Sequence, residues 1–247
     1  MRASAIEFRL RMAINASIII LGFWAPWIEA WGIGKRISLI EWLALQLSRL
    51  GVASFSFSTV SLIILAVLFA ASGVAFRISG TAWLGPTTVN SIDMIAGNIM
   101  ASGPYRFVRN PLYIGLWCMA AAMAFLMPAT GALFSLVLIT VFMTRLTLGE
   151  EAFLTRQLGQ PYLTYLQAVP RFIPRLRGAP ASSAAKPDWL RASLTELTPV
   201  GVLLGIAVFS RNYDLALAGR IILIFFGASL IARAFLPGAL VNSESPK

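Results

Sequence analysis

The feature that most restricts this chain is a series of apolar runs as long as a bilayer is thick. A helix needs ~20 mainly apolar residues to cross the hydrocarbon core, at about 1.5 Å per residue. Six stretches are read as such spans: Met12–Trp31, Ser54–Phe76, Pro111–Met127, Ala132–Leu148, Leu197–Ser210 and Leu215–Leu236. The fifth is short unless it begins near Leu190. Charged residues make up 12% of the chain, about half of what a soluble surface of this size carries. An all-α, polytopic membrane protein of about six transmembrane helices is therefore expected.

The connections add detail. Arg2, Arg9 and Arg11 precede the first run, which is longer than the ~7–15-residue core of a signal peptide and reads as an uncleaved helix. Ile37–Leu50, apolar but carrying Glu41 and Arg49, suits a helix lying flat at the interface. Pro128-Ala129-Thr130-Gly131 is a tight turn, so the third and fourth spans form an antiparallel hairpin. Gly178–Pro187, rich in Ala, Ser and Pro, reads as a linker. The organisation is thus residues 1–84, N-terminal helices; 85–177, a core of hairpin plus polar tail; 178–188, a linker; and 189–247, a C-terminal helical hairpin.

Of the 20 Lys and Arg, fourteen fall on the side of the N-terminus in this arrangement and four on the other; Arg220 and Arg233 lie within the last span. The positive-inside rule then places both termini, and the polar segments 77–110 and 145–191, in the cytoplasm. That rule also accounts for the net charge of +10 without nucleic acid. Histidine is absent and Cys118, inside an apolar run, is the single cysteine. A His general base, a His- or thiolate-held metal and a Ser-His-Asp triad are excluded, and no metal site is expected.

Two polar clusters flank the hairpin. The first is Gly103-Pro104-Tyr105-Arg106-Phe107-Val108-Arg109-Asn110-Pro111-Leu112-Tyr113-Ile114-Gly115; the second holds Glu150-Glu151, then Gly159-Gln160-Pro161-Tyr162 to Tyr165, and Val169-Pro170-Arg171. Either alone is explained by arginines anchoring a helix end and by glutamates on a helix emerging into water. Together they resemble the isoprenylcysteine carboxyl methyltransferase and phospholipid methyltransferase superfamily. That family carries G-P-Y-x-x-V-R-H-P-x-Y-x-G, a helical hairpin, E-E, and G-x-x-Y-x-x-Y-x-x-x-V-P-R. The resemblance covers about residues 85–175, and it departs at Asn110, where histidine is usual. Asparagine forms hydrogen bonds but does not titrate.

The resemblance implies S-adenosylmethionine as cofactor, held between the hairpin and the tail. The segment Gly103, Pro104, Tyr105, Arg106, Arg109, Asn110, Tyr113, Gly115 is expected to wrap its amino-acid end. Arg106 or Arg109 would pair with the carboxylate, Tyr105 and Tyr113 would face the sulfonium, and Glu150 and Glu151 would bind ribose hydroxyls or the ammonium. Glu151, Arg171 and Asn110 are the expected reacting-end residues, with Glu151 as the base if one is needed, its pKa raised by burial.

The expected activity is methyl transfer to a lipid-attached or membrane-partitioned acceptor. Carboxylate O-methylation of the isoprenylcysteine type comes first, because a carboxylate need lose no proton. Phospholipid N-methylation and small-thiol S-methylation are the alternatives, and a non-catalytic scaffold or transporter is the rival of another class. Expected partners are the lipid-borne acceptor and membrane lipids. Gly201-Val202-Leu203-Leu204-Gly205 is a GxxxG that would pack on another helix of the chain or on a second copy in a homodimer.

Overall fold

A computed structural model describes residues 3–24, 37–89, 101–175 and 186–235. The end of the first expected span, the stretch around Asp93 and most of the expected linker lie outside the described residues. Within them the chain is helical, with one isolated bridge between Ser38 and Pro128 and no strand. In order come α1 (Ala5–Arg9), α2 (Arg11–Phe23), α3 (Leu39–Arg49), α4 (Phe55–Leu84), α5 (Pro86–Val89), a 3-10 turn (Gly103–Arg106), α6 (Pro111–Ala124), α7 (Ala129–Leu158), α8 (Gln160–Ala168), α9 (Trp189–Thr195), α10 (Leu197–Asn212) and α11 (Leu215–Phe235).

Helices α4, α7 and α11 are long and apolar enough to cross a membrane, and α9 with α10 makes a fourth if that bent pair is one span. The first and third expected spans form shorter apolar helices, α2 and α6. At 13 and 14 residues each rises about 20 Å. The second expected span is exceeded: α4 does not stop before Arg77 but continues to Leu84, because Arg77 finds a carboxylate partner, Glu196, on its flank.

The packing joins α4 to α6, α6 to α7, α2 to α7, α3 to α4, and α10 to both α4 and α11. Small residues let these helices approach closely. A side chain on Gly115 would run into Gly73 and Arg77 of α4, and one on Gly131 would run into the Gly22 carbonyl of α2. Gly201 and Gly205 meet Phe225, Ala218 and Ile222 of α11, so the GxxxG is used inside the chain and is not open to a second copy. The main core joins Ile40 of α3, Ile63, Ala66 and Ala70 of α4, Met119 and Ala122 of α6, and Val202 and Ile206 of α10.

Helix α3 starts with a capping box: the Ser38 hydroxyl accepts from the Glu41 amide, and Glu41 accepts from the Ser38 amide at 2.9 Å. This explains the glutamate in an apolar stretch. Its first residues are tied to the far end of the hairpin, where the Leu39 amide donates to the Met127 carbonyl at 2.7 Å. The 30-residue α7 rises about 45 Å, more than the ~30 Å hydrocarbon core. Its last turns, with Glu150 and Glu151, thus continue beyond the apolar part, as the sequence predicts.

Candidate active site

The hairpin of α6 and α7 determines which polar residues meet. The turn that leads into α6 and the last turns of α7 lie at the same end. Backbone hydrogen bonds fasten the tail after α8 to the turn: the Arg109 amide donates to the Pro170 carbonyl, and the Arg175 amide to the Phe107 carbonyl, both at 2.9 Å. Three segments distant in sequence thereby converge.

At their centre is Glu151, 7% exposed. Arg109 donates from Nη1 to its Oε1 at 2.9 Å. Arg171 donates from Nη2 to Oε2 at 2.7 Å and from Nε to both oxygens at 3.1 Å. These hydrogen bonds push the Arg171 pKa still higher. One carboxylate thus holds two guanidiniums, which places Glu151 as an anchor rather than as a spare proton acceptor. The neighbouring Glu150 takes a different partner, the Tyr113 hydroxyl, which donates to Oε1 at 2.8 Å. Asn110 directly precedes α6 but does not cap it; its Nδ2 donates to the Arg171 carbonyl at 3.2 Å. The amide that replaces the family histidine therefore ties the turn to the tail.

The rest of the glycine-proline-tyrosine segment forms the support. Gly103 has φ of 52°, and a Cβ there would strike the Trp83 indole; Pro104 follows in the 3-10 turn. Tyr105 is buried and donates its hydroxyl to the Gly80 carbonyl of α4 at 3.3 Å. Burial raises its pKa, so the phenol stays protonated. Its ring is thus packed under the turn rather than held out to a cation. Arg106 lies over the Phe107 ring, 5.8 Å from its centroid. Gly115 faces α4 and serves helix packing.

Arg109, Asn110, Glu151 and Arg171 thus form one hydrogen-bonded group and Tyr113 with Glu150 a second, adjoining it through the neighbouring glutamates, while Gly103, Pro104, Tyr105 and Gly115 shape the surroundings. Sequence reasoning did not single out Tyr165, whose hydroxyl donates to the Tyr105 carbonyl at 2.8 Å and props the turn from α8. Its signal was the tyrosine spacing in the second cluster. Trp83 and Arg11 were also missed. Arg11 donates to the Phe8 and Val89 carbonyls at 3.0 and 3.2 Å, joining the N-terminal helices to the end of α5. No sequence spacing signals that contact.

A search of curated proteins and one of solved structures give no match. The family match begins in α4 and ends at the start of α8; it contains the turn, the hairpin and both glutamates but stops short of Arg171. That stretch, residues 61–161, matches the phospholipid methyltransferase family, consistent with the superfamily of isoprenylcysteine carboxyl and phospholipid methyltransferases of the membrane that the motifs resemble.

Proposed function

We propose that this chain transfers a methyl group from S-adenosylmethionine to an acceptor carried by a membrane lipid. The observation that carries the reading is the state of Arg109. Its Nη1 is committed to Glu151, yet its Nε is buried with no hydrogen-bond partner among the described residues. A buried donor left unmade costs about 1–3 kcal/mol, and an arginine fork suits a carboxylate. The α-carboxylate of S-adenosylmethionine supplies such an acceptor, and Glu151 keeps the guanidinium aimed. Arg109 would therefore hold the cofactor's carboxylate, with Glu150, fixed by Tyr113, beside it for the ammonium or a ribose hydroxyl.

The bound cofactor supplies a methyl group already activated on a sulfonium. The chain's own contribution is proximity and orientation: the Glu151 clamp fixes turn, helix and tail as one frame, and the buried tyrosines keep water from beneath it. The site lies where α7 leaves its apolar part, so a lipid-borne acceptor reaches it sideways while the cofactor enters from the cytoplasmic face. A carboxylate acceptor is the primary reading, since it gives up no proton and Glu151 is occupied by arginines. The matched family favours a second acceptor, a phospholipid amine; Glu150 would then be the base.

Calorimetry with S-adenosylmethionine on the full chain in detergent tests the cofactor. Binding that is lost in Arg109→Ala supports the reading, and no binding at millimolar cofactor overturns it. Incubating the chain with radiolabelled methyl donor and host membranes separates the acceptors: a base-labile methyl ester identifies a carboxylate, and a label stable to base in a phospholipid headgroup identifies an amine.

A further inference from the structure

A second buried ion pair lies outside the site, where α4 meets the break between α9 and α10. Helices α9 and α10 meet at 61°, and Glu196 occupies the break with 0% exposure. Arg77 of α4 donates from Nε to Oε2 at 2.9 Å and from Nη2 to Oε1 at 2.6 Å; the Thr81 hydroxyl adds a bond to Oε1 at 2.8 Å. On the other side of the break the Thr195 carbonyl accepts from the Ser229 hydroxyl at 2.7 Å and from Arg233 Nε and Nη2 at 3.1 and 3.0 Å. No side-chain donor or acceptor of this cluster is left buried without a partner among the described residues. A closed network of this kind is a brace rather than a vacant ligand site.

What it braces is the wall behind the cofactor turn. The stem of Arg77 lies against Gly115 of α6, and Gly80, between Arg77 and Thr81, lies against Leu112 and the Tyr105 hydroxyl. Trp83 of the same helix end lies under Gly103. The Asp188 amide, just before α9, donates to the Ala82 carbonyl at 2.9 Å. The last two turns of α4 are therefore gripped by the C-terminal unit on one flank and carry the turn, Tyr105 and the start of α6 on the other.

We infer that Glu196 is a positioning residue for methyl transfer: through Arg77 and Thr81 it fixes the end of α4 and thus the turn that presents Arg109. This assigns residues 186–235, beyond the family match, to the site's geometry, and it rests on the methyltransferase reading above. Breaking such a charged hydrogen-bonded contact lets α4 shift without removing any group that touches cofactor or acceptor. The loss should appear chiefly as weaker cofactor engagement.

The test compares the full-length protein, Glu196→Gln and Thr81→Val, with S-adenosylmethionine KM, kcat and the detergent melting point measured for each. In folded Glu196→Gln the expected result is a rise of about tenfold in cofactor KM with a smaller change in kcat. Thr81→Val, which removes one hydrogen bond and keeps the side chain's shape, should raise KM about two- to threefold and decides the matter if Glu196→Gln does not fold. Unchanged KM in folded variants, or a fall in melting point with kinetics intact, overturns the inference. Wild-type protein that neither binds the cofactor nor transfers methyl groups overturns the methyltransferase reading instead, so the two failures are distinguished.

Discussion

At the residue scale the two arginines on Glu151 are not equivalent. The Arg109 side chain is 12% exposed and that of Arg171 is 39% exposed, against 9% for Glu151. Glu151→Gln strands the more buried Arg109 guanidinium without its counter-charge, a loss of about 3–5 kcal/mol, while in either arginine-to-alanine variant Glu151 keeps the other guanidinium. Glu151→Gln should therefore lower the unfolding free energy more than Arg109→Ala or Arg171→Ala. Denaturant titration in mild detergent measures the ranking, and a loss in Glu151→Gln no larger than in either arginine variant would contradict it. Gly103 makes a second test. Its φ of 52° costs a residue with a side chain about 1–2 kcal/mol, and the new Cβ would also displace Trp83. Gly103→Ala should melt earlier than wild type and show altered tryptophan fluorescence, while Gly159→Ala, also at positive φ but with open space around it, should leave the fluorescence unchanged.

At the scale of elements, the hairpin was legible because its signals are local: two apolar runs broken at a proline, with clusters of fixed spacing at their ends. The turn itself lies earlier than expected, at residues 125–127, because Pro128 takes the N-cap of α7 and residues 129–131 are already helical. The partner of Arg77 was not legible, since an arginine after an apolar run reads as the start of a loop, and only Glu196, 119 positions away, keeps it helical. The break at Glu196 was hidden for the same reason: the sequence allowed that span to begin near Leu190 but carried no sign of the bend between α9 and α10. Nor did the sequence show that α1 docks on α7. There Arg145 donates to both Glu7 oxygens at 2.9 and 3.0 Å, and the Ala3 amide donates to the Arg145 carbonyl at 3.0 Å. The Arg145 hydrogen bonds, followed by those from Ser4, hold the Glu7 carboxyl down at about 2, below its ordinary 4.5. A carboxyl lowered on docking contributes fully above its undocked pKa, and that contribution fades as pH falls from about 4.5 towards 2. Hydrogen exchange at residues 3–10 should accordingly stay slow from neutral pH to about 5 and, after correction for intrinsic rates, quicken below 4.5. In Glu7→Gln it should be fast and nearly independent of pH.

For the molecule as a whole, the helices divide the polar groups between two ends. One end gathers the turn, the twin glutamates, the tail and the α9–α10 break; the other holds the α3–α4 turn and the loop between α6 and α7. The basic residues are concentrated towards the first end, which the positive-inside rule predicts to be the cytoplasmic one, the side from which the proposed cofactor would come. The chain's single cysteine is buried, so topology is open to direct reading by introduced thiols in a Cys118→Ala background. Thr164 is exposed on α8 at the site end, and Val52 is exposed in the turn before α4 at the other. With a membrane-impermeant maleimide, Val52→Cys should label in intact cells and Thr164→Cys only in inverted vesicles. The reverse pattern would put the arginines and glutamates on the face away from the proposed cofactor. Labelling of both from one side would mean that α4, the helix joining Val52 to the site end, does not cross the bilayer, and the frame proposed to bring a lipid-borne acceptor to a water-borne methyl donor would be lost.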